Sequence, residues 1–312
     1  MLSHDYVRLN RPLGDQTQGL YKLVLRSAAA EKAIPGQFVN IRVSDSYDPL
    51  LRRPLSIAGI DRQKGEITIY YRVKGRGTAL LAAYPEGSTL DVLGPLGNGF
   101  SLAGMLNDPE PEVSETGNFC RPQDSTGPIN ELVLVAGGIG IFPLYALLEH
   151  MLNHTRLRAL PLTVIWGVQD QAFLKAARAE LLDRLRPEQI QLATMDGSAG
   201  QKGLVTSPLE RHLGERLGAR AGAGAPGRAP EWGRPFVAAC GPNAMLEAVV
   251  KLCTQFGVDS EICLEEHMAC GLGACLGCTC TLQNADGTLR RGRVCLEGPV
   301  FSGKEVVWHA ES

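Results

Sequence analysis

Four cysteines close to the C-terminus place the strongest constraint on what this chain can fold into. They are Cys270, Cys275, Cys278 and Cys295, with four, two and sixteen residues between successive members. Gly and Ala fill most of the gaps between the first three, so the chain can wrap tightly and bring backbone N–H groups close to the sulfur atoms. This loop therefore predicts a metal centre with cysteine ligands.

The spacing separates the metal centres that four cysteines can hold. C-x4-C-x2-C with a distant fourth cysteine is the plant-type spacing for a [2Fe–2S] cluster, whereas structural Zn usually takes two C-x2-C pairs. These four residues contain one C-x2-C pair, which favours the cluster and leaves Zn as the alternative. Cys280, two residues further on, is expected on the next strand, facing away from the iron.

Disulfides are disfavoured, because the chain has nine cysteines, an odd number, and its first residues form no apolar signal segment. We therefore expect a reducing, cytoplasmic compartment. A net charge of -2 over 312 residues indicates neither a nucleic acid nor an anionic membrane surface as partner. The apolar runs are too short to span a bilayer.

Three regions follow one another along the chain, and the predicted fold class is a multidomain α+β protein. Residues 1–102 alternate apolar and polar positions between Gly and Pro turns, which predicts a small antiparallel β-barrel. Residues 131–258 alternate apolar strands with helical stretches, which predicts an α/β domain with a parallel sheet. Residues 259–312 carry the cysteines and short strands, and form a small cluster domain.

Two segments have the composition of surface insertions. The linker 103–130 contains an acidic stretch, 107–128, rich in Pro, Ser and Thr, which includes Cys120. Residues 218–234 are built from Ala, Gly, Arg and Pro. Neither can bury enough apolar surface to offset the entropy of ordering, so both are predicted to be mobile.

The first region contains three short motifs whose chemistry suits a flat ring joined to a diphosphate. An arginine can donate two parallel hydrogen bonds to phosphate and stays charged; a glycine turn that opens a helix presents free N–H groups to an anion; and tyrosines offer faces for stacking. The alternative for the first motif is a surface arginine before a turn proline. The residues are Arg53, Pro54, Leu55, Ser56, Tyr70, Tyr71, Arg72, Gly77 and Thr78.

In the second region, two glycine turns follow predicted strands and precede predicted helices. Dinucleotide binding requires such a strand–turn–helix context, although a tight turn in any α/β fold remains the alternative. Cys240 ends a strand and is predicted near a nicotinamide, with a buried structural thiol as the competing interpretation. Asp196 follows a third strand at the same edge. The candidate dinucleotide residues are Gly137, Gly138, Gly140, Asp196, Cys240, Gly241 and Pro242.

Taken together, these motifs resemble the ferredoxin-NADP reductase superfamily of flavin oxidoreductases, and their order along the chain matches as well. Residues 268–275 and 294–301, around the cysteines, narrow the resemblance to the electron-transfer subunit of class 1B dihydroorotate dehydrogenase. The resemblance covers nearly the whole chain apart from the two insertions, which are longer than we expect for this family.

The resemblance implies that the first-region motifs bind FAD, that the four cysteines hold the cluster, and that NAD+ rather than NADP+ is the acceptor. It implies a heterotetramer with two copies of an FMN-containing catalytic subunit, which carries the base that deprotonates dihydroorotate. Electrons would pass from dihydroorotate to the FMN of that subunit, then through the [2Fe–2S] cluster and the FAD of this chain to NAD+, in pyrimidine biosynthesis. Related flavin/iron–sulfur subunits of hydrogenases, sulfide dehydrogenases and NADH-ferredoxin:NADP+ reductases are the nearest alternatives. A Zn-stabilised, non-enzymatic adaptor is the alternative from a different class.

Overall fold

A computed structural model of the chain describes residues 1–14, 18–101, 129–155, 157–181, 185–217 and 234–309. The predicted insertion 107–128, with Cys120, and the predicted insertion 218–234 except for Arg234 lie outside the described residues. Among the described residues, no helix has both the length and the apolar character needed to cross a membrane.

The N-terminal region forms a seven-stranded antiparallel sheet with strand order β4-β3-β7-β1-β2-β6-β5. Each strand pairs with its neighbours in antiparallel register. The elements are β1 Leu2–Pro12, β2 Leu20–Arg26, α1 Ala29–Lys32, β3 Phe38–Arg42, β4 Arg53–Ser56, β5 Gly59–Asp61, β6 Glu66–Arg72, α2 Arg76–Ala82 and β7 Thr89–Leu96.

Alternation along the strands explains why this sheet curls. Leu23 and Leu25 on β2, Val39 on β3 and Ile67 and Ile69 on β6 are all fully buried and share one apolar cluster. Since side chains at every second position point to the same face, a single cluster fed by several strands requires the sheet to wrap around it. The antiparallel sheet is confirmed. Its hydrogen-bonded order ends at β4 and β5, so the described strands form a half-barrel.

The central region forms a parallel sheet with strand order β11-β10-β9-β8-β12-β13. Its strands are β8 Ile129–Gly137, β9 Leu162–Val168, β10 Ile190–Thr194, β11 Gln201–Lys202, β12 Arg234–Cys240 and β13 Asp259–Cys263. Its helices are α3 Ile141–Asn153, α4 Gln171–Leu181, α5 Thr206–Leu217 and α6 Asn243–Phe256, with 3-10 turns at Gly138–Gly140, Leu157–Ala159 and Pro187–Gln189.

Helices cover both faces of the parallel sheet, which explains the unbroken apolar run of β8. Leu132 and Leu134 pack with α3 and α4 in one buried cluster, whereas Val133 and Val135 pack with α5 and α6 in another. A strand buried on both faces needs apolar residues at every position. The predicted α/β domain is therefore confirmed.

The C-terminal region divides between two sheets. Its strands are β14 Thr279–Gln283, β15 Leu289–Arg293, β16 Val300–Ser302 and β17 Val306–Val307. β14 pairs with β15 and β17 in a small antiparallel sheet, whereas β16 pairs antiparallel with β13 at the edge of the parallel sheet. The predicted domain boundary at residue 259 therefore falls within this sheet. Both β13 and β16 come from the C-terminal region of the chain, yet they are strands of the same sheet as β8 and β12.

The two large sheets meet through contacts between β6 and the helices of the central region. Tyr70 stacks on Phe142 with ring centroids 4.2 Å apart and an angle of 12° between the ring planes. Glu180 accepts hydrogen bonds from Tyr70 Oη at 3.1 Å and from Lys22 Nζ at 2.5 Å. These buried and half-buried contacts fix how the half-barrel sits against α3 and α4.

Candidate functional site

The cysteine loop wraps back on itself through three residues with positive φ. Gly271 has φ 72° and Gly273 has φ 78°, values that favour glycine. Leu276 has φ 57° and is the one non-glycine residue with positive φ in the described part of the chain. A leucine in this conformation costs free energy. We infer that the backbone path between two neighbouring cysteines requires it.

Backbone N–H groups of the loop point at the cysteine sulfurs. Five such contacts are formed within the loop and to the distant fourth cysteine, which is the donor pattern that stabilises thiolate ligands. They run from Leu272 N to Cys270 Sγ (3.3 Å), Cys275 N to Cys270 Sγ (3.4 Å), Gly273 N to Cys295 Sγ (3.1 Å), Gly277 N to Cys275 Sγ (3.4 Å) and Cys295 N to Cys278 Sγ (3.4 Å).

The four thiols lie as two neighbouring pairs. Burial acts to raise the pKa of Cys270, but N–H donors from Leu272 and Cys275 and the Cys275 thiol outweigh it and lower the pKa to about 6. Burial and the adjacent Cys278 thiol raise the pKa of Cys295 to about 12. No three His, Cys, Asp or Glu side chains among the described residues converge on one point. Two pairs fit a [2Fe–2S] cluster, in which each iron takes two thiolates.

The loop has a buried side and an exposed side. Cys278 and Cys295 are 2% and 1% exposed, whereas Cys275 is exposed. The buried pair packs in one apolar cluster with Phe38 and Leu96 from the half-barrel sheet. An iron–sulfur cluster held by this loop would therefore contact the half-barrel on one side and solvent or a partner on the other. Cys280 lies on β14 as predicted, and burial raises its pKa to about 12.

A hydrogen-bonded strap connects the cysteine loop to the half-barrel. Asn98 Nδ2 donates to Glu297 O at 2.9 Å, and Asn98 pairs with Pro299 in an isolated bridge. The Glu297 carboxylate accepts from Arg293 N at 3.0 Å and from Arg290 Nη1 at 2.5 Å. The strap sets the loop against β7, which sequence patterns did not predict.

Two of the predicted flavin motifs meet in space. A Cβ built on Gly77 would lie 2.6 Å from Arg53 Cζ, so the guanidinium occupies the space that any side chain at residue 77 would need. Arg53 Nη1 donates to Leu51 O at 2.6 Å and to Arg52 O at 3.1 Å. Thr78 Oγ1 accepts from Gly75 N at 3.2 Å and donates to Gly75 O at 3.0 Å, which holds the start of α2.

The remaining residues of β4 lie beside Arg53 on an edge strand. Pro54, Leu55 and Ser56 are half-buried, and β4 has a single hydrogen-bonded neighbour, β3. An edge strand leaves half of its backbone groups available for another partner.

The predicted tyrosine faces are occupied by protein. Tyr70 packs on Phe142, as described above, and Tyr71 is 1% exposed, stacks on Tyr21 at 5.5 Å and donates to Asn10 Oδ1 at 2.9 Å. Burial raises the pKa of both phenols well above the usual value. Neither ring therefore offers an exposed face for stacking. Arg72 is exposed at the end of β6 and donates to Gln18 O at 3.1 Å.

The two glycine turns of the parallel sheet touch each other. A Cβ on Gly140 would lie 2.6 Å from the carbonyl carbon of Cys240, and a Cβ on Gly137 would lie 2.8 Å from Pro242 Cδ. A Cβ on Gly241 would lie 3.0 Å from Gly137 Cα. Since β8 and β12 are adjacent parallel strands, their carboxyl ends form one crevice of the kind that binds dinucleotides.

A tryptophan that the sequence motifs did not point to holds this crevice in shape. Trp166, fully buried on β9, donates from Nε1 to Gly138 O at 3.0 Å. The contact fixes a glycine with φ 54° at the start of the turn. The sequence shows an aromatic residue near the end of the neighbouring strand. Its contact with the glycine turn, however, depends on β9 lying beside β8 in the sheet.

Cys240 and Asp196 occupy different positions at this edge. The Cys240 thiol is fully buried and hydrogen-bonded to Cys263 on β13, and that contact together with burial raises its pKa. Its backbone lies at the crevice, whereas its side chain belongs to the buried apolar cluster on the face of the sheet covered by α3 and α4. Asp196 is exposed after β10, and Ser198 donates to it from N and Oγ at 2.9 and 2.7 Å, which lowers the pKa of the carboxyl.

Comparisons with known proteins agree with this arrangement. The family model "Iron-sulfur cluster binding domain of dihydroorotate dehydrogenase B" matches residues 265–307, which contain all four cysteines, and "Oxidoreductase NAD-binding domain" matches residues 134–251. A structure of an NADH-dependent reduced ferredoxin-NADP oxidoreductase aligns with a TM-score of 0.67 at 24% identity, covering 98% of this chain and 90% of that one. A ferredoxin NADP+ reductase from Neisseria gonorrhoeae aligns with a TM-score of 0.55 at 15% identity, covering 82% and 92%.

The half-barrel, the parallel sheet and the cysteine loop define an oxidoreductase with a ferredoxin-reductase-like fold, an NAD-binding domain and an iron–sulfur domain. The curated relatives identify the particular family. "Dihydroorotate dehydrogenase B (NAD(+)), electron transfer subunit" of Geobacillus sp. (strain WCH70) is 35% identical over 296 residues, 93% of each chain. The subunit of the same name from Bacillus cereus (strain Q1) is 35% identical over 293 residues, again 93% of each. The chain belongs to this family of electron transfer subunits.

Proposed function

We propose that this chain transfers electrons from a dihydroorotate dehydrogenase catalytic subunit to NAD+, in pyrimidine biosynthesis. One observation carries the proposal: the buried side of the cysteine loop packs on the half-barrel sheet, while Cys275 is exposed on the other side. A centre held by this loop has the half-barrel behind it and an accessible face for a donor. The names of the curated relatives supply the substrate and the acceptor.

We propose FAD as the ligand of the half-barrel, which we interpret as a flavin-binding barrel over residues 1–102. Arg53 would bind the diphosphate, because its guanidinium sits directly on the Gly77 turn. Pro54, Leu55 and Ser56 on the edge strand would line the ring, and Thr78 and Arg72 would flank it. Tyr70 and Tyr71 contribute through backbone position alone, since their rings are packed against Phe142 and Tyr21.

We propose that NAD+ binds at the crevice between β8 and β12. Gly137, Gly138 and Gly140 form one wall, and the backbone of Cys240 with Gly241 and Pro242 forms the other. Gly140 packs directly on the Cys240 carbonyl, so the two walls meet at the floor of the crevice with no room for a side chain, and a ligand above that floor can approach the backbone. Asp196 lies further along the same edge. The name of the curated relatives favours NAD+ over NADP+ as the acceptor.

The exposed side of the loop has the composition of a docking surface. Leu272, Leu276 and Leu296 are 54%, 62% and 40% exposed, beside Cys275. Exposed large apolar side chains that cluster in one place mark interaction sites. We propose an FMN-containing catalytic subunit as the partner, in a heterotetramer with two copies of each chain. The base that deprotonates dihydroorotate would lie on that partner.

When bound, the cluster supplies one-electron transfer and the flavin supplies the conversion between single electrons and a hydride. The residues of this chain would hold the cluster and the flavin, exclude water from the buried surface between them, and bind NAD+. We place the protein in the cytoplasm, because none of the eight cysteines among the described residues forms a disulfide.

The test is to co-express the chain with the FMN subunit, purify the complex anaerobically, and measure flavin, iron and sulfide per chain. We expect one FAD and one two-iron cluster here, and NAD+ reduction when dihydroorotate is added. A fully loaded complex that reduces NAD+ from another donor, but never from dihydroorotate, would contradict the proposal and favour one of the related reductases. A colourless complex that contains Zn would overturn the cofactor assignment as well.

A further inference from the structure

A buried asparagine without hydrogen-bond partners lies between the half-barrel and the cysteine loop. Asn40, on β3, has no exposed surface, and both its Nδ2 and its Oδ1 lack a partner. It is the one side chain in the described ranges with both amide atoms buried and unpaired. Buried polar groups are almost always hydrogen-bonded, so an amide unpaired at both ends indicates a missing partner.

The surroundings of Asn40 identify the side from which that partner comes. Its strand neighbours are Pro54 on β4 and Leu93 on β7, and neither side chain has a hydrogen-bonding atom. On the third side lies the cysteine loop: a Cβ on Gly271 would fall 2.7 Å from Asn40 Nδ2 and 3.3 Å from Leu96 Cδ1. Gly271 directly follows the ligand Cys270, so the loop backbone passes over the amide.

The side chains that Asn40 shares its face with are apolar, and the nearest charged group, the Arg52 guanidinium at 3.4 Å from Asn40 O, is already paired with Asp91. Phe38, two residues before Asn40 and therefore on the same face of β3, packs in one buried cluster with Leu96, Cys278 and Cys295. A lone amide among these side chains is unfavourable unless a ligand pairs with it. The cysteine sulfurs and the sulfides of the bound cluster are acceptors, and the amide nitrogen is a donor.

We propose that Asn40 donates a hydrogen bond from Nδ2 to a sulfur of the iron–sulfur centre on its Cys270 side, and thereby sets the reduction potential of the cluster from the half-barrel. Hydrogen bonds to sulfur favour the reduced centre, which carries more negative charge, and raise its potential. Asn40 is a positioning and tuning residue. The inference depends on the cluster site alone and not on the identity of the partner subunit.

The test replaces the amide in the complete holoprotein. In Asn40→Leu and in Asn40→Ala, an EPR-monitored redox titration should show the cluster potential more negative by at least about 59 mV, the equivalent of a tenfold change for one electron. The flavin potential, followed by visible absorption, should stay unchanged. Measured iron and sulfide per chain show whether each variant contains the cluster. The alanine variant keeps the test valid if the leucine does not fit at this position.

Asn10 offers a matched control in the same sheet. Its Nδ2 donates to Leu81 O at 2.8 Å and to Tyr84 O at 3.0 Å, so its partners are all protein. Asn10→Leu should lower the melting temperature and leave the cluster potential unchanged. If both Asn40 variants keep the wild-type cluster potential, the amide pairs only with water and the inference fails. If the flavin potential moves instead, the contact is to the flavin and the inference fails too.

Discussion

Replacing Gly77 by alanine separates binding of FAD from stability of the fold. A Cβ at this position would lie 2.6 Å from Arg53 Cζ, so the guanidinium must leave its place on the turn. The group that moves is the free end of a long side chain, and Gly77 has no positive φ. The fold can therefore accept the methyl group. Arg53, the residue proposed to bind the diphosphate of FAD, is displaced.

The magnitude follows from the hydrogen bonds that Arg53 would lose. A hydrogen bond that involves a charged group contributes about 1.5–3 kcal/mol, and each ~1.4 kcal/mol is tenfold in Kd. Losing one such bond to the diphosphate should weaken FAD binding roughly 10- to 100-fold. The assay is fluorescence titration of deflavinated protein with FAD, with the melting temperature and the iron content measured on the same sample.

Gly75, two residues earlier, is the matched control. A Cβ there meets nothing within 4 Å, and its backbone is extended, with φ -162°. Gly75→Ala should bind FAD like the wild type, since its Cβ displaces no side chain; the loss of glycine at this N-cap should cost about 1 kcal/mol of stability. If Gly77→Ala binds FAD normally, or loses the cluster and the fold together with FAD, the role given to Arg53 is refuted.

Three further perturbations test other parts of the molecule. Cys275→Ser should reduce dihydroorotate-driven NAD+ reduction to background in the complex, while FAD content and NADH-to-dye activity persist; Cys280→Ser is the control, and loss of dye activity in Cys275→Ser would argue for a structural role. Gly140→Ala pushes against the carbonyl carbon of Cys240, 2.6 Å from the new Cβ, and should raise KM for NADH in the dye assay about tenfold or more; an unchanged KM would remove the crevice from the binding site. Burial raises the pKa of Glu261 to about 8, above that of the unfolded chain, so ionisation of the unfolded state lowers stability as pH rises from about 4.5 to 8. Glu261→Gln should therefore stabilise the protein by about 2–4 kcal/mol at pH 8 and by almost nothing at pH 4.5 in thermal melts; an equal gain at both pH values would refute a neutral Glu261.

Much of the site could be predicted from local sequence, because its parts are contiguous. Cys270, Cys275 and Cys278 lie in one loop whose spacing depends on the ligand geometry alone. The glycine turns at Gly137 and Gly241 follow apolar strands, and the chain has to turn where a strand ends at a helix. Helix α6, Asn243–Phe256, begins directly after the second of these turns.

The tyrosines show where local patterns were insufficient. Tyr70 and Tyr71 occupy consecutive positions on β6, so they point to opposite faces of the sheet. Both faces are buried in this protein, one against Phe142 on α3 and the other inside the half-barrel against Tyr21. The packing of α3 on β6 is a contact between distant parts of the chain, and no pattern within β6 encodes it.

By itself, the sequence determined the chemistry of this protein: four thiolates in cluster spacing, an arginine motif, two glycine turns, and the order in which they occur. These depend on residue type and short-range spacing, which are local properties of the chain. Tertiary structure alone decided which parts meet: Gly77 under Arg53, Gly140 on Cys240, the cysteine loop over Asn40, and β13 and β16 in the parallel sheet. Such contacts join residues far apart in sequence and arise only when the sheets and helices pack together.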